Sequence, residues 1–131
     1  MKIGYHKVDI TPRTNTELCG YGFYLNRKST GIHDNLFAKA VYIGADSLKN
    51  EILFISCDLI GINREIIVRI REKIEKETKI RPQNIIISST HTHSGPATLF
   101  LEGLGKMNKK YLDIFEKKNR RSRCTRQGAG V

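Results

Sequence analysis

The sequence predicts an α/β fold with a mixed β-sheet, and its central part carries that prediction. Two apolar runs, residues 51–60 and 84–89, flank a charged segment, residues 63–79, in which isoleucines recur at helical spacing. A strand, a helix and a second strand in this order form a β-α-β unit, whose strands are parallel and whose crossover is right-handed. With 131 residues, the chain is long enough for one domain with a hydrophobic core but short for two.

Two shorter stretches before this unit also have the character of strands. Residues 2–10 alternate loosely between apolar and polar side chains and end at Thr11-Pro12, which predicts a strand closed by a turn. A second strand is predicted from Ala40 to Gly44. Between them, the segment from Cys19 to Gly31 is rich in Gly and Tyr. Such a segment is either a loop whose backbone approaches a ligand or an ordinary mobile loop, and the composition leaves both readings open.

The run at 51–60 is apolar at nearly every position, as expected of a strand buried on both faces. Asp58 interrupts it near its carboxyl end, where an acid must be paired, hydrogen-bonded or close to a cation. We expect Asp58 either to cap the turn through Gly61 or to support a functional side chain through a hydrogen bond.

The helix is predicted from about Asn63 to Lys79, with Asn63 as its amino-terminal cap and Pro82 beyond its end. Its apolar stripe consists of Ile66, Ile67, Ile70 and Ile74. The other face is charged, and pairs such as Glu65 with Arg69 have the favourable order four residues apart. We therefore interpret that face as solvated surface.

The second strand of the unit runs into the sequence THTHSGP at residues 90–96. Extended residues repeat with a period of two, so His91 and His93 are predicted to project from the same side, about 6 to 7 Å apart. Neutral imidazole is the commonest ligand of a catalytic metal, and open α/β sheets place their ligands at the carboxyl ends of strands. Because the two strands are parallel, Asp58 is expected at the same edge as His91. The alternative is a polar strand end with two solvated imidazoles.

Five blocks of the sequence resemble the neutral (alkaline, non-lysosomal) ceramidases, which are zinc-dependent amide hydrolases. The most specific block is THTHSGP. The others are the DITP element in Val8–Pro12, Gly20-Tyr21-Gly22, the block GIHDNLFAKA at 31–40 with Asn35 in place of a usual proline, and CDLIG at 57–61. The similarity covers about residues 3–115. Family members are several hundred residues long, so the chain resembles the incomplete amino-terminal portion of a larger zinc hydrolase domain.

The resemblance implies a role for each matched residue. His91 would be a ligand of Zn²⁺, and His93 would be a catalytic residue that contacts the reacting group. His33, Gly20 and Gly22 would contact a lipid or N-acyl amide substrate, which would be hydrolysed to a fatty acid and an amine. The family's other ligands, a second histidine, a glutamate and a tyrosine, lie far downstream and have no counterpart in this chain. We therefore expect the chain to be inactive alone.

The carboxyl end has a different composition. From Lys106 to Val131, nine Lys or Arg stand against two acidic residues, which is +7 of the total net charge of +10. We predict a folded part at 1–116, ending in a short amphipathic helix around Tyr111 and Phe115, and a basic, disordered tail at 117–131. An alternative function is a small basic module that binds nucleic acid or another anion through this tail, although the tail has no aromatic residue for stacking. A third possibility is a non-functional product of a truncated gene.

The amino terminus has no signal-peptide pattern, and no segment approaches the roughly 18 apolar residues that span a bilayer. We expect a soluble, cytoplasmic protein with no transmembrane segment. The three cysteines have no CxxC spacing, so neither a disulfide framework nor a zinc knuckle is indicated.

Overall fold

A computed structural model describes residues 1–22, 26–45, 51–102 and 105–119, and it confirms the predicted α/β class. The strands are β1 (Lys2–Asp9), β2 (Phe37–Gly44), β3 (Glu51–Cys57) and β4 (Ile85–Ser89), and the helices are α1 (Arg64–Thr78) and α2 (Lys109–Asn119). The strands form one sheet in the order β1-β2-β3-β4. Pairing is antiparallel between β1 and β2 and between β2 and β3, and parallel between β3 and β4, so the sheet is mixed as predicted.

The hydrophobic core lies between one face of the sheet and the two helices. This inner face carries the buried side chains Ala38, Ala40, Tyr42, Leu53, Ile55, Cys57 and Ile85. The helices contribute Ile66, Ile70 and Ile74 from α1 and Tyr111, Leu112 and Phe115 from α2. The alternate residues of β3 lie on the opposite face, where Ile52 and Phe54 are 37% and 43% exposed. The expectation that β3 is buried on both faces is therefore wrong for the described part of the chain.

The helix α1 has the predicted apolar stripe and, with its cap residues Asn63 and Lys79, the predicted bounds, but its ends are closed by other contacts than predicted. Asn63 occupies the amino-terminal cap position without a side-chain cap bond; instead, its Nδ2 donates to Met107 Sδ at 3.7 Å. At the other end, Lys79 is left-handed, with a φ of 65°, and its N–H bonds to the carbonyl of Glu75. Pro82 starts a 3₁₀ turn before β4 and does not itself end the helix. No helix within the described ranges is both long and apolar enough to cross a membrane.

The helix α2 is held by hydrogen bonds to the residue that follows β1 and to α1. Tyr111 Oη donates a hydrogen bond to the carbonyl of Ile10 at 2.7 Å, and burial raises the pKa of Tyr111. Glu116 accepts hydrogen bonds from Arg69 at 2.5 Å and from Lys73 at 3.0 Å. The bond from Arg69 lowers the pKa of Glu116. The charged face of α1 is therefore a docking surface for α2 and is not only solvated, as the sequence suggested.

The predicted boundary between a folded part and a tail falls within α2, since the helix runs to Asn119. Residues 120–131 lie outside the described part of the chain. The disordered tail and its binding of anions stay predictions.

Candidate functional site

The residues that follow β3 and β4 meet beyond the carboxyl ends of these two strands. The strands are parallel, with Cys57 opposite Ser89, so both end on the same side of the sheet. The chain after β4 is fastened there by two backbone bonds, from Thr90 N to the carbonyl of Cys57 and from His91 N to the carbonyl of Leu59, each 3.0 Å. The topology thus places the THTHSGP segment next to the end of β3, as the β-α-β argument required.

The two histidines are neighbours, but not through an extended strand. The strand β4 ends at Ser89, and His91 has a φ of 62°, in the left-handed region. This conformation is uncommon for a residue other than glycine and costs on the order of 1 kcal/mol. The period-of-two argument therefore does not apply beyond Ser89. The imidazole rings of His91 and His93 nevertheless lie with their centroids 5.2 Å apart and their planes at 64°.

A backbone carbonyl orients His91. Its Nδ1 is 2.8 Å from the carbonyl oxygen of Ile60. A carbonyl can only accept a hydrogen bond, so Nδ1 carries the proton in the neutral imidazole and Nε2 keeps its lone pair. This is the arrangement in which metal-binding histidines are held, with the second nitrogen bonded to a protein oxygen. Sequence reasoning missed Ile60, because a carbonyl contact leaves no signal in the residue type.

The backbone of Gly20 lies directly against the ring of His93. Gly20 has a φ of +95°, and a Cβ there would be 2.5 Å from Cγ of His93. The two segments are brought together by a bond from Cys19 N to the carbonyl of Gly95, at 3.1 Å. The packing requires a residue without a side chain at position 20. Gly22 lies in an exposed turn two residues further on.

Tyr21 and Arg27 complete the surroundings of His93. Arg27 Nη2 donates to the carbonyl of His93 at 2.6 Å. The same guanidinium lies 5.0 Å from the centre of the Tyr21 ring, and the Tyr21 ring meets the His93 ring edge-on at 5.1 Å. Sequence reasoning did not single out Arg27, because its contact joins residues 66 positions apart. Tyr21 belongs to the Gly20-Tyr21-Gly22 block, and the resemblance of that block to the family is the signal that could have identified it.

A groove of about 620 Å³ opens beside the second half of the THTHSGP segment. It is lined by Thr92 and Ser94 of that segment, by the loop at 27–34, and by Thr11, Pro12, Leu18 and Leu36. His33 is one of the lining residues, and its Nδ1 lies 2.7 Å from Asp34 Oδ2, with both side chains exposed. His33 therefore lines the same groove as Thr92 and Ser94, while the rings of His91 and His93 contact each other.

The loop that carries His33 is held by the residues of two matched blocks. Asn35 Nδ2 donates to Asp9 Oδ2, and Leu36 N donates to Thr11 Oγ1, each at 2.9 Å. Asn35 thus replaces a proline with a side chain that ties its block to the Val8–Pro12 element.

Asp58 lies at the carboxyl end of β3, as predicted, but its carboxylate faces β2. Its Oδ2 accepts a hydrogen bond from Phe37 N at 2.9 Å and is 3.8 Å from Lys39 Nζ. These contacts join the end of β3 to the start of β2. Of the two roles predicted for Asp58, capping of the turn through Gly61 and support of a functional side chain, the second is filled for His91 by the Ile60 carbonyl.

Comparison with known proteins identifies the family. The family model described as neutral/alkaline non-lysosomal ceramidase, N-terminal, matches residues 1–118. The chain belongs to this family. The neutral ceramidase of Drosophila pseudoobscura pseudoobscura is 32% identical over 100 residues, which are 72% of this chain and 14% of that protein. Neutral ceramidase A of Dictyostelium discoideum is also 32% identical over 100 residues, or 73% of this chain and 14% of that protein.

The fold agrees with that of a solved ceramidase. The crystal structure of neutral ceramidase from Pseudomonas aeruginosa superposes with a TM-score of 0.78 at 22% identity, over 92% of this chain and 20% of that chain. This likeness shows the fold. With respect to the curated ceramidases that it matches, the chain spans about a seventh of their length.

The geometry of the two histidines can be compared with what a zinc ion requires. Across the described ranges, no group of three or more His, Cys, Asp or Glu side chains is arranged to hold a metal ion. The orientation of His91 fits a metal ligand, and His93 lies beside it. The geometry of His91 is thus compatible with the zinc ligand that the resemblance implies.

Proposed function

We propose that this chain is the amino-terminal part of a zinc-dependent amide hydrolase, which cleaves ceramide or another N-acyl amide lipid into a fatty acid and an amine. His91 would bind Zn²⁺ through Nε2, and His93 would contact the reacting amide. The observation that carries the proposal is the bond between His91 Nδ1 and the Ile60 carbonyl, which leaves Nε2 as the free acceptor.

The chemistry follows from the residues around the two imidazoles. When bound, Zn²⁺ would supply a water of lowered pKa and polarise the amide carbonyl. His93 would donate or accept a hydrogen bond at the reacting group, with its ring held by Gly20 and Tyr21 and its carbonyl by Arg27. Fixing the ring before substrate binds reduces the cost of orienting it in the transition state.

The groove supports a substrate that is partly apolar. Its volume of about 620 Å³ lies within the usual range for a small-molecule site. Pro12, Leu18 and Leu36 line it together with the exposed pair His33 and Asp34. An acyl chain would lie against the apolar side chains, and polar groups of the lipid would meet His33. In this proposal, Gly20 and Gly22 would contact the substrate beside the histidines, outside the residues that line the groove.

We also propose that the chain is inactive alone and that the complete zinc domain needs further residues. A catalytic zinc usually has three protein ligands and one open position. The described residues contain no set of three, so zinc binding by this chain would be weak. The right-handed crossover from β3 through α1 to β4 is part of the same proposed domain.

The test measures zinc affinity by competition with a chromophoric chelator for the natural chain, His91→Ala and His33→Ala. We expect His91→Ala to lose more than about tenfold in affinity, since it removes the proposed ligand, and His33→Ala to match the natural chain. Equal affinities for all three would refute the role of His91.

A second assay follows fatty acid release from a short-chain ceramide with zinc present. We expect no turnover above that of His91→Ala. Clear turnover that His91→Ala abolishes would show that the chain is a complete enzyme and would refute its proposed inactivity.

A further inference from the structure

Arg27 lies where the groove meets the surroundings of His93. Its side chain lines the groove, and its Nη2 donates to the carbonyl of His93 at 2.6 Å. The guanidinium also lies 5.0 Å from the centre of the Tyr21 ring, within the range of a cation–π contact. The first contact fixes one nitrogen, and the second keeps the group beside the ring. The guanidinium is therefore held in place before any ligand enters the groove.

The charge of Arg27 has no carboxylate partner in the described part of the chain. Of the 13 acidic residues in the sequence, only Asp46 lies outside the described ranges, and no ion pair within those ranges includes Arg27. The side chain is half-buried, and its Nε is fully buried without a hydrogen-bond partner among the described residues. An unsatisfied buried donor costs about 1 to 3 kcal/mol, and a buried charge needs a counter-charge. A cation in this state is expected where a ligand completes it.

The other polar groups of the groove suit a negatively charged ligand. Lys28 supplies a second, exposed positive charge, and Thr92 and Ser94 supply hydroxyl groups that can donate hydrogen bonds. Among the described residues that line the groove, Asp34 is the one carboxylate. It lies 2.7 Å from His33 Nδ1 and is 87% exposed, so solvent screens its repulsion of an anion.

We propose that the groove binds an N-acyl amide whose amine half carries an oxyanion, either a carboxylate or a phosphate, and that Arg27 recognises this group. A planar guanidinium can donate two parallel N–H bonds to two oxygens of one anion. Because Arg27 contacts the backbone of His93 itself, the anion lies close to the amide that His93 is proposed to contact. The proposal narrows the substrate class of the amide hydrolase proposed above, and it rests on that function for the identity of the ligand.

An N-acyl amino acid has the required short spacing, since its carboxylate is one carbon away from the amide nitrogen. Its acyl chain would lie against the apolar lining, Pro12, Leu18 and Leu36. Hydrolysis would add one water across the C–N bond and release a fatty acid and an amino acid.

The test compares two probes that differ in charge but hardly in shape, N-decanoylglycine and N-decanoylglycinamide. Their dissociation constants for the chain are measured by isothermal titration calorimetry at physiological salt with EDTA present. EDTA removes zinc, so the result does not depend on the proposed role of His91, and failure of one proposal is distinguishable from failure of the other. N-decanoylethanolamine phosphate and N-decanoylethanolamine form a second pair, in which the anion is a phosphate.

We expect at least one acidic probe to bind more than about tenfold more tightly than its neutral partner, as a hydrogen bond to a charged group provides. The pair with the larger ratio identifies the oxyanion. Arg27→Gln removes the charge and should reduce this ratio to below about threefold. Lys2→Gln is the matched control, because it removes one positive charge at the start of β1, outside the groove, and should leave the ratio unchanged.

Equal affinities within both pairs, no binding of any probe, or the same ratio in Arg27→Gln as in the natural chain would overturn the inference. A loss that Lys2→Gln reproduces would also overturn it, since the preference would then come from net charge alone. Circular dichroism shows whether Arg27→Gln is folded, because this variant also changes the contact with the His93 carbonyl. If it is not folded, Arg27→Lys replaces it. Lysine keeps the charge but not the planar fork, so the ratio should fall more than about threefold, and an unchanged ratio overturns the inference.

Discussion

Replacing Gly20 by alanine should destabilise the protein through two separate effects. The residue has a φ of +95°, where an L-amino acid is strained by about 1 to 2 kcal/mol. The added Cβ would also lie 2.5 Å from Cγ and 2.6 Å from Nδ1 of His93. Overpacking of this kind typically costs about 1 to 3 kcal/mol. The sum is about 2 to 5 kcal/mol, a large share of the roughly 5 to 15 kcal/mol that stabilises a natural domain.

The ring of His93 has little freedom to move away. Arg27 holds the carbonyl of the same residue at 2.6 Å, and the Tyr21 ring lies against the edge of the imidazole. We therefore expect the cost to lie in the upper part of the range and not to be relieved by a small shift of the ring.

The assay is urea unfolding followed by circular dichroism, with the free energy of unfolding taken from the midpoint at constant slope. Gly31→Ala is the matched control, because a Cβ there meets nothing within 4 Å and its φ is not positive. The control should be neutral, or stabilised by up to about 1 kcal/mol.

A double-mutant cycle separates the two effects. In a His93→Ala background, the contacts with Cγ and Nδ1 are removed and only the 2.9 Å approach to Cβ is left, so Gly20→Ala should cost little more than the backbone strain of about 1 to 2 kcal/mol. A cost below about 0.5 kcal/mol in the natural background, or the same cost in both backgrounds, would show that the described packing of Gly20 on His93 is wrong.

Two further predictions concern the attachment of α2. The pKa of Glu116 is lowered by Arg69, so the ion pair contributes stability above the carboxyl's ordinary pKa of 4.5 and loses it as the pH falls below that value. Glu116→Gln should therefore melt at a lower temperature than the natural chain at pH 7, with the gap closing towards about pH 3, and a gap independent of pH would contradict this. Tyr111→Phe leaves the Ile10 carbonyl without its donor and should cost about 1 to 3 kcal/mol in urea unfolding, whereas Tyr5→Phe at an exposed position should be neutral, and equal effects would rule out the buried bond.

The sequence predicted the fold best where local pattern and long-range packing agree. The isoleucine spacing identified α1, and the apolar runs identified β3 and β4, because the same residues that set the period also fill the core. The start of β2 was placed at Ala40, three residues after its true start at Phe37. Phe37 and Lys39 are in the strand because they pair with Asp9 and Lys7 of β1, which local composition does not reveal.

The candidate site was predicted by residue type and only partly by geometry. The rings of His91 and His93 lie beside each other as predicted, but through the left-handed backbone of His91 and not through the extended strand from which the prediction was made. The groups that orient them could not be predicted. Ile60 acts through its carbonyl, and Arg27 reaches His93 across the chain. Such contacts depend on the tertiary path of loops, and a single sequence carries no periodic signal for them.

The described residues hold the orientation of His91 and His93 through contacts of their own. The Ile60 carbonyl orients the His91 ring, and the backbone of Gly20 packs against the His93 ring. Among the described residues, no set of three His, Cys, Asp or Glu side chains is arranged to hold a metal ion, so the zinc binding proposed for His91 would need ligands from outside that set. Because the two orienting contacts are made within the protein, the proposed roles of the histidines do not require a metal to position their rings.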